Sequence, residues 1–509
     1  MPTKPTTAVL TGVAVLGISA VAFALATGTG PVSRSAAPAG ASTPAAAATS
    51  IARQLAAGVL PLRGPRRLTH ADLTAARALA TGTGPATSQG ARPATSPGAS
   101  PGTGQAPPTT AECRAAYGSP CYSVRQLARA YGVTGAHRAG WTGRGATVVL
   151  PIWHSVPEHT LRHDLGVFSA AYGLPKADLE YRATGPITPM PPPDAPEAPW
   201  RYAIAQETVL DASMIHAMAP HARIVVIATP ETATDGGYAD ILDAVRDYAP
   251  GHPGVIVSMS YGTYESDLPA ATLTRLNRQL SQIIGARKLT VAVSNGDTGN
   301  TSGQSTAANV PWPASSPDVL AVGGTQVDLD DHGRRRSPDT VWGDPHGLGR
   351  ATGGGLSRVF TRPAFQDRYA HLVAGHRGTT DVAANGSGES RMIIYSTYNV
   401  LGGKIDRDGG WRRAAGTSVS APLWAGVLGL VRQAAHRPLG RINPALYGLV
   451  AATGTRTGIA DVTQGSNAVP GNPGYPAQPG WDVVSGNGTI GDARWLVPAL
   501  SAAIRRVGT

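Results

Sequence analysis

The order of apolar segments predicts an α/β fold in which a parallel sheet carries helices on both faces. Several short apolar runs lack the alternation of a half-exposed strand, and longer helix-like segments separate them. Parallel strands need such crossover connections. The predicted strands are 146–152, 223–228, 254–260, 288–294 and 319–323, and the predicted helices are 124–131, 160–171, 202–218, 238–248 and 273–286.

Two parts of the chain differ in composition, and only one of them can form a core. Across all 509 residues 42% are hydrophobic, which is typical of globular proteins. Residues 27–112 are dominated by Ala, Pro, Thr, Ser and Gly, a composition that predicts a flexible linker. Residues 113–509 hold the predicted strands and helices and are interpreted as the folded domain.

The first 26 residues have the pattern of an export signal. Lys4 precedes an apolar segment, 8–26, which ends in the small-x-small sequence Ala24-Leu25-Ala26. The segment is long for a signal peptide, so an uncleaved membrane anchor is the alternative. We therefore expect a secreted, extracellular protein, which is attached to a membrane only if this segment is retained.

Cysteine content and charge indicate which bonds and partners to expect. The two cysteines, Cys113 and Cys121, lie close together, and in an exported protein they predict a small disulfide loop. No Cys/His cluster indicates zinc. The net charge is +11, but the arginines are scattered and no basic run is interleaved with aromatic residues. We therefore expect no nucleic-acid partner.

A Gly-Thr-Ser junction precedes a strongly apolar candidate helix, 423–432. Gly416 permits a sharp turn, and Ser418 would then expose its hydroxyl at the positive end of the helix with its amide free to bind an anion. Gly426 and Gly429 predict tight packing of this helix against a sheet. The alternative is that Ser418 only caps the helix, so a base and an oxyanion partner are needed elsewhere.

Two carboxylates occupy one face of the predicted helix 202–218. Glu207 and Asp211 are four residues apart, and no Lys or Arg at a neighbouring helical position offsets their repulsion. Coupling would raise the pKa of one carboxyl, which suits a proton acceptor oriented by a second acid. The alternative is a solvated helix face.

A third candidate follows the predicted strand 288–294. Gly296 and Gly299 allow a tight loop that places Asp297 at the carboxyl end of the strand, where open α/β sheets bind ligands. The alternative is an ordinary turn-forming Asp.

Together these motifs resemble the sedolisin family, the serine-carboxyl peptidases, whose fold is subtilisin-like. The Gly-Thr-Ser-x-Ser-x-Pro motif of the family is present at 416–422, and its Ser-x-Gly-Asp-x-Gly loop at 294–299. Its Glu-x-x-x-Asp helix is present as Glu207 and Asp211, followed by Ala219-Pro220. Further similar segments are 322–325, 353–357 and 362–366.

The resemblance implies a peptidase that cleaves proteins or peptides at acidic pH. Ser418 would be the nucleophile and Glu207 the general base. Asp211 would hold Glu207 in position and share its proton. Asp297 would be protonated and would donate a hydrogen bond to the oxyanion. Internal cleavage and release of tripeptides both remain open, and a monomer is expected. The alternative from another class is a catalytically silent, surface-displayed binding domain, although it would have no need of all four residues.

The resemblance also implies one structural calcium ion near the C-terminus. The matching positions are Asp461, Val462, Gln478, Gly480 and Asp482, which offer two carboxylates and backbone carbonyls. Oxygen donors from two loops suit a hard cation. Gln478 stands where the family has Gly, a minor change if only its carbonyl binds.

Subtilisin itself, which shares the Gly-Thr-Ser motif, is excluded. That family needs an Asp after the first strand and a His-Gly-Thr-His helix. Here the first strand continues into Pro151-Ile-Trp-His154, and no His-Gly-Thr-His occurs. His216 lies on a different helix face from Asp211 and is interpreted as structural.

Two features depart from the sedolisin pattern. The propeptide domain of the family looks missing or reduced here, since the region before Cys113 is mostly linker-like. In addition, Thr380 precedes Asp381 where the family usually has Pro-Asp.

Overall fold

The computed structural model describes residues 15–16, 106–230, 237–401, 404–406 and 409–507. Most of the predicted signal or anchor segment, 1–26, and of the predicted linker, 27–112, lies outside these residues. A helix begins at Thr110, three residues before the predicted domain boundary. In the ranges that are described, no helix is both long enough and apolar enough to cross a membrane.

The described residues form eleven α-helices, three 3₁₀-helices and twenty strands. The α-helices are α1 Thr110–Tyr117, α2 Val124–Ala130, α3 Val133–Arg138, α4 Glu158–Tyr172, α5 Ala198–Met218, α6 Tyr238–Tyr248, α7 Ala270–Arg287, α8 Ala370–Val373, α9 Thr417–Ala435, α10 Asn443–Thr453 and α11 Ala493–Val507. The 3₁₀-helices are Ala249–Gly251, Ala364–Tyr369 and Gly454–Thr457. The strands are β1 Val15–Leu16, β2 Cys121–Tyr122, β3 Thr147–Trp153, β4 Asp178–Ala183, β5 Arg223–Thr229, β6 Ile256–Met259, β7 Tyr261–Tyr264, β8 Thr290–Ser294, β9 Pro311–Trp312, β10 Leu320–Gln326, β11 Thr340–Val341, β12 Gly355–Thr361, β13 His376–Thr379, β14 Val382–Asn385, β15 Arg391–Ser396, β16 Asn399–Leu401, β17 Lys404–Asp406, β18 Gly410–Ala414, β19 Ile459–Ala460 and β20 Thr489–Ile490.

A ten-stranded sheet forms the centre of the fold. Its order is β19-β20-β14-β10-β8-β6-β3-β5-β4, with β11 paired to β10. Every neighbouring pair from β20 to β4 is parallel, whereas β19 and β11 are antiparallel additions. The predicted parallel sheet with helices on both faces is confirmed.

The predicted elements agree closely with the structure. The predicted strands correspond to β3, β5, β6, β8 and β10. Helix α5 begins at Ala198 rather than at residue 202, and α9 begins at Thr417, six residues before the apolar run 423–432. Strand β4 was not predicted because its charged residues alternate with apolar ones and only Leu179 is buried, as expected at a sheet edge.

Smaller sheets surround the central one, with orders β1-β7-β9, β12-β13, β18-β15-β2 and β16-β17. In the first of them Leu16 pairs with Tyr261. The predicted disulfide between Cys113 and Cys121 is present and joins α1 to β2.

Helix α9 is the central helix and is buried over most of its length. It packs on α5 and α11 and on strands β6, β8, β10 and β14. A Cβ on Gly426 would lie 2.6 Å from Met218 Cβ and 3.2 Å from the Ile215 carbonyl oxygen, and one on Gly429 would lie 3.3 Å from Ala219 Cβ. Gly426 therefore permits close approach to α5 rather than to the sheet, whereas Gly429 lies against the residue after α5 and also near Ala146, which directly precedes β3.

A buried ion pair links β13 to the residue that precedes β14 of the central sheet. Arg377 Nη2 lies 2.5 Å from Asp381 Oδ2, and both side chains are fully buried. The same carboxylate accepts hydrogen bonds from the Ala321 amide at 2.8 Å and from the Tyr447 hydroxyl at 2.7 Å. Asp381 thereby connects the start of β10, the start of β14 and α10.

Removing one partner of this pair is expected to destabilise the protein strongly. Arg377→Met leaves Asp381 buried without its cation, which costs about 3–5 kcal/mol of unfolding free energy. Arg246→Met is the matched control, because Arg246 pairs with Asp243 on the exposed surface and its loss costs at most about 1 kcal/mol. Chemical denaturation measures both. Equal losses for the two variants would contradict the stabilising role of the buried pair.

Candidate active site

Ser418 is the second residue of α9, and the first turn of this helix contacts the loop after β8. Gly416, just before the helix, has a φ of 116°, which residues with a side chain rarely adopt. A Cβ at this position would lie 2.7 Å from Asp297 Oδ2. Glycine therefore allows the helix to start in contact with Asp297. In the first turn the Thr417 amide donates to Asp297 and the Val419 amide donates to the Gly416 carbonyl oxygen at 2.9 Å, whereas Ser418, as the second helical residue, has no carbonyl four residues earlier within the helix.

The Ser418 side chain is completely buried and connects to the carboxylate pair through Ser260. Ser418 Oγ donates to the Ser260 carbonyl oxygen at 3.3 Å. Ser260 Oγ in turn donates to Asp211 Oδ1 at 2.7 Å. Ser260 was not among the predicted site residues. It ends the predicted strand 254–260, so the rule that ligands bind at the carboxyl ends of parallel strands could have identified it.

Glu207 and Asp211 both lie on the buried face of α5, as their spacing predicts. Their residues are 0% and 3% exposed. In the part of the chain that the structure describes, neither carboxyl oxygen of Glu207 has a hydrogen-bond partner at normal distance and angle, although the hydroxyls of Ser418 and Ser260 lie close enough to affect its pKa. The solvated helix face considered as the alternative is therefore wrong for both residues.

Burial governs the protonation of this pair. It raises the pKa of Glu207 well above its usual value, the charges of Asp211 and Asp297 raise it further, and the hydroxyls of Ser418 and Ser260 act in the opposite direction. Burial also raises the pKa of Asp211 well above its usual value, against the hydrogen bond from Ser260. Two such carboxyls retain protons at a pH where exposed carboxyls are ionised.

Asp297 is held against the first residue of α9. Its Oδ1 accepts hydrogen bonds from the Thr417 amide at 2.8 Å and from the Thr417 hydroxyl at 2.9 Å. The Gly296 amide donates to the same hydroxyl oxygen at 3.1 Å. Burial raises the pKa of Asp297 to about 6, although Thr417 and the charge of Arg350 oppose the shift. Below that pH Asp297 carries a proton that it can donate.

His216 contacts a different part of the fold. Its Nε2 lies 2.9 Å from the Pro175 carbonyl oxygen, and its side chain is fully buried. Burial lowers the pKa of His216, which favours the neutral ring. These contacts are those of a structural histidine that ties α5 to the loop before β4.

Two C-terminal loops bring together the five residues predicted to bind calcium. The Gly480 amide donates to Asp461 Oδ2 at 2.8 Å, and the Gln478 amide donates to Asp482 Oδ2 at 3.0 Å. Asp461 Oδ1 is buried without a hydrogen-bond partner in the described residues, so it has a lone pair available. The Val462 carbonyl oxygen lies next to this group, 3.5 Å from Ser485 Oγ.

Asp482 offers less free capacity than Asp461. Its Oδ1 accepts three hydrogen bonds, from the amides of Val484 and Ser485 and from the Ser485 hydroxyl. From the described residues its Oδ2 accepts one hydrogen bond, from the Gln478 amide, which leaves one lone pair on this oxygen. Across the described ranges no group of three or more His, Cys, Asp or Glu side chains could hold a metal, so carbonyl oxygens would have to complete any site here.

Comparison with known proteins places the site in a family context. The Subtilase family model matches residues 203–446. Kumamolisin from Bacillus sp. (strain MN-32) is 34% identical over 308 residues, which are 58% of this chain and 51% of that protein. Sedolisin from Pseudomonas sp. (strain 101) is 30% identical over 50% of this chain and 41% of its own length. Human tripeptidyl-peptidase 1 is 31% identical over 46% of this chain and 41% of its own length.

The chain thus spans about half the length, or less, of these relatives. Among solved structures, Pseudomonas sedolisin, described as a serine-carboxyl proteinase complexed with two molecules of pseudo-iodotyrostatin, superposes with a TM-score of 0.61. The two chains are 24% identical, and the match covers 77% of this chain and 100% of the other. This likeness establishes the subtilisin-like fold.

The raised pKa of Glu207 predicts how stability depends on pH. The folded state binds this proton more tightly than the unfolded chain, so the contribution is present below the unfolded pKa of about 4.3 and is lost as pH rises through the folded value. Glu207→Gln removes the titration. Melting curves between about pH 4 and pH 8 should show wild type losing stability relative to this variant as pH rises.

The matched control for this experiment is Glu158→Gln, at an exposed glutamate on α4. Its melting temperature should follow that of wild type across the range. Parallel curves for wild type and Glu207→Gln would contradict a raised pKa at Glu207.

Proposed function

We propose that this chain belongs to the sedolisin family and is a serine-carboxyl peptidase that hydrolyses proteins or peptides at acidic pH. Its similarity to kumamolisin and sedolisin, the match to the Subtilase family model and the subtilisin-like fold support this proposal. The observation that carries the proposal is the buried cluster around Ser418. A serine hydroxyl at a helix N-terminus is joined through Ser260 to an acid pair with raised pKa values, and a third carboxyl contacts the same helix turn.

In the proposed first step Ser418 Oγ attacks the carbonyl carbon of a peptide bond. Its proton passes to Glu207, whose two carboxyl oxygens have no hydrogen-bond partner at normal distance and angle in the described chain. The Ser418 hydroxyl, which donates to the Ser260 carbonyl, rotates toward Glu207 for this transfer. Asp211 shares the proton of the acid pair, and the active form carries one negative charge over the two carboxyls.

The negative charge that develops on the substrate oxygen needs donors. The proposed donors are the Ser418 amide, in the first turn of α9, and the protonated carboxyl of Asp297. Asp297 Oδ1 is occupied by two bonds from Thr417, so Oδ2 is the oxygen assigned to donate. Above a pH of about 6 Asp297 ionises and would repel the oxyanion.

The intermediate then collapses and the peptide bond breaks. Glu207 returns its proton to the leaving amine, which departs and leaves an ester on Ser418. Water attacks the ester carbonyl, gives a proton to Glu207, and releases the second product as a carboxylic acid. The serine regains its proton from Glu207.

Acidic activity is the sharpest test of this assignment. Hydrolysis of an unfolded protein such as casein should be fastest below about pH 6, because the alkaline limb includes ionisation of Asp297. A Ser-His-Asp enzyme would instead lose rate as pH falls below about 6.5, where its imidazole becomes protonated. The measurement is the rate as a function of pH, with folding checked at every point.

Ser418→Ala is the matched control and should be inactive at every pH while keeping the fold. If the hydrolysis depends on Ser418 but is fastest at neutral or alkaline pH, the Glu-Asp-Ser assignment is wrong. A folded wild-type protein without hydrolysis at any pH would favour the silent, surface-displayed binding domain instead.

We also infer that the C-terminal loops hold one calcium ion. The carboxylates of Asp461 and Asp482 and the carbonyls of Val462, Gln478 and Gly480 form an all-oxygen donor set of the kind a hard cation prefers. The unpartnered Asp461 Oδ1 supports this fit. Such an ion would stabilise these loops, since Ser418 and Glu207 are not among the ligands.

Chelation should lower the melting temperature without a direct effect on chemistry. An ion that binds only the folded state stabilises it by about 2.7 kcal/mol when its free concentration is 100 times the dissociation constant. Asp461→Ala should lower the melting temperature and remove the sensitivity to chelator. A melting temperature that changes neither with chelator nor with added calcium would contradict the proposed site.

The N-terminal sequence supports secretion, or display at a membrane if the apolar segment is retained. Protein or peptide substrates and a monomeric state complete the proposal.

A further inference from the structure

The loop that carries Asp297 is anchored by the side chain of Asn295, two residues earlier. Asn295 is completely buried, and its Nδ2 donates to Thr380 Oγ1 at 2.7 Å. Its backbone amide donates to the Val322 carbonyl oxygen at 3.0 Å. Among the described residues, Thr380 is the one hydrogen-bond partner recorded for the Asn295 side chain. The Thr380 hydroxyl therefore determines where this side chain is held.

Thr380 stands on a rigid part of the fold. It is completely buried and directly precedes Asp381, which is fixed by the ion pair with Arg377 and by the Tyr447 hydroxyl. The Asp381 amide also donates to the Ala321 carbonyl oxygen at 2.9 Å. The hydrogen bond to Thr380 thus connects the Asp297 loop to the segment between β13 and β14, which the contacts of Asp381 hold in place.

The other side of the loop is covered by backbone. The Gly353 amide donates to the Gly296 carbonyl oxygen at 2.7 Å, and the Ala351 amide donates to the Asp297 carbonyl oxygen at 3.2 Å. A Cβ on Gly353 would lie only 1.6 Å from the Asn295 carbonyl oxygen. The segment 351–353 therefore limits movement of the loop on this side, and the Asn295–Thr380 bond limits it on the other.

Neither member of this hydrogen bond is supplied by the sedolisin motifs found in the sequence. Asn295 occupies the unspecified position of Ser-x-Gly-Asp-x-Gly, and Thr380 replaces a residue that is usually proline.

We propose that Thr380 is a positioning residue for catalysis, which acts through Asn295 to hold Asp297 where it donates to the oxyanion. The proposal rests on the proposed function, because it needs Asp297 as the donor. An oxyanion donor is effective when its position is set before the reaction. A small displacement of Asp297 therefore lowers the rate of turnover, and it affects the affinity for substrate less. Loss of the Thr380 hydroxyl would also leave the buried Asn295 amide without a partner, which favours movement of the loop.

The test compares variants that remove or retain the hydroxyl. Thr380→Val keeps the shape and should lower kcat about tenfold, with KM within about twofold of wild type. Thr380→Ser restores a hydroxyl and should recover most of the rate. Thr379→Val is the matched control: Thr379 is the adjacent, fully buried threonine, and its hydroxyl donates to the Gly355 carbonyl oxygen at 3.4 Å, so kcat should stay near wild type.

Asn295→Ala removes the same hydrogen bond from its other end and should give a similar loss of kcat. It replaces Thr380→Val as the decisive variant if the valine protein does not fold. Each variant is assayed with a peptide substrate at acidic pH and well below its melting temperature.

A double-mutant cycle separates positioning from general destabilisation. In an Asp297→Ala background, Thr380→Val should not lower the single-turnover rate further, because the carboxyl through which Thr380 is proposed to act has been removed. An unchanged kcat in folded Thr380→Val, or the same loss in both backgrounds, would overturn the proposal. If Ser418→Ala is inactive while Thr380→Val is fully active, only this inference fails; if Ser418→Ala is fully active, the proposed function fails.

Discussion

The contact between Asp297 and the first residue of α9 is the interaction on which the candidate site depends. Thr417 donates two hydrogen bonds to one carboxyl oxygen, and Gly416 leaves the space that the other oxygen needs. This contact joins the carboxyl end of β8 to the N-terminus of the central helix. Ser418 follows directly, so its orientation is set by the same contact.

Burial of three carboxyls next to one serine is costly, and protonation is how this fold tolerates it. Born solvation disfavours an isolated charge in such surroundings, so the groups hold protons instead of ionising. The pKa values of Glu207, Asp211 and Asp297 are all raised, mainly by burial. On the proposed assignment, such an arrangement would supply a proton acceptor, its partner and a neutral donor at low pH without a histidine among them.

The contacts that hold the candidate site in place are harder to predict from the sequence than the site residues themselves. Asp381 collects hydrogen bonds from the sheet and from α10, next to the threonine that holds Asn295. The Trp481 indole donates to the Tyr447 hydroxyl at 2.9 Å, and Trp481 lies between Gly480 and Asp482. The C-terminal loops proposed to hold calcium are therefore connected to the same buried centre.

The sequence by itself determined the fold class and the four candidate catalytic positions. Periodicity shows which segments are buried strands and which are helices, and short motifs with strict spacing, such as Glu207 with Asp211, need only local geometry to be interpreted. The tertiary structure alone decided that Ser260 links Ser418 to Asp211, that Gly426 faces a helix rather than a sheet, and that Thr380 contacts Asn295. Burial and the pKa shifts it causes arise from packing between residues distant in sequence, so no local pattern encodes them.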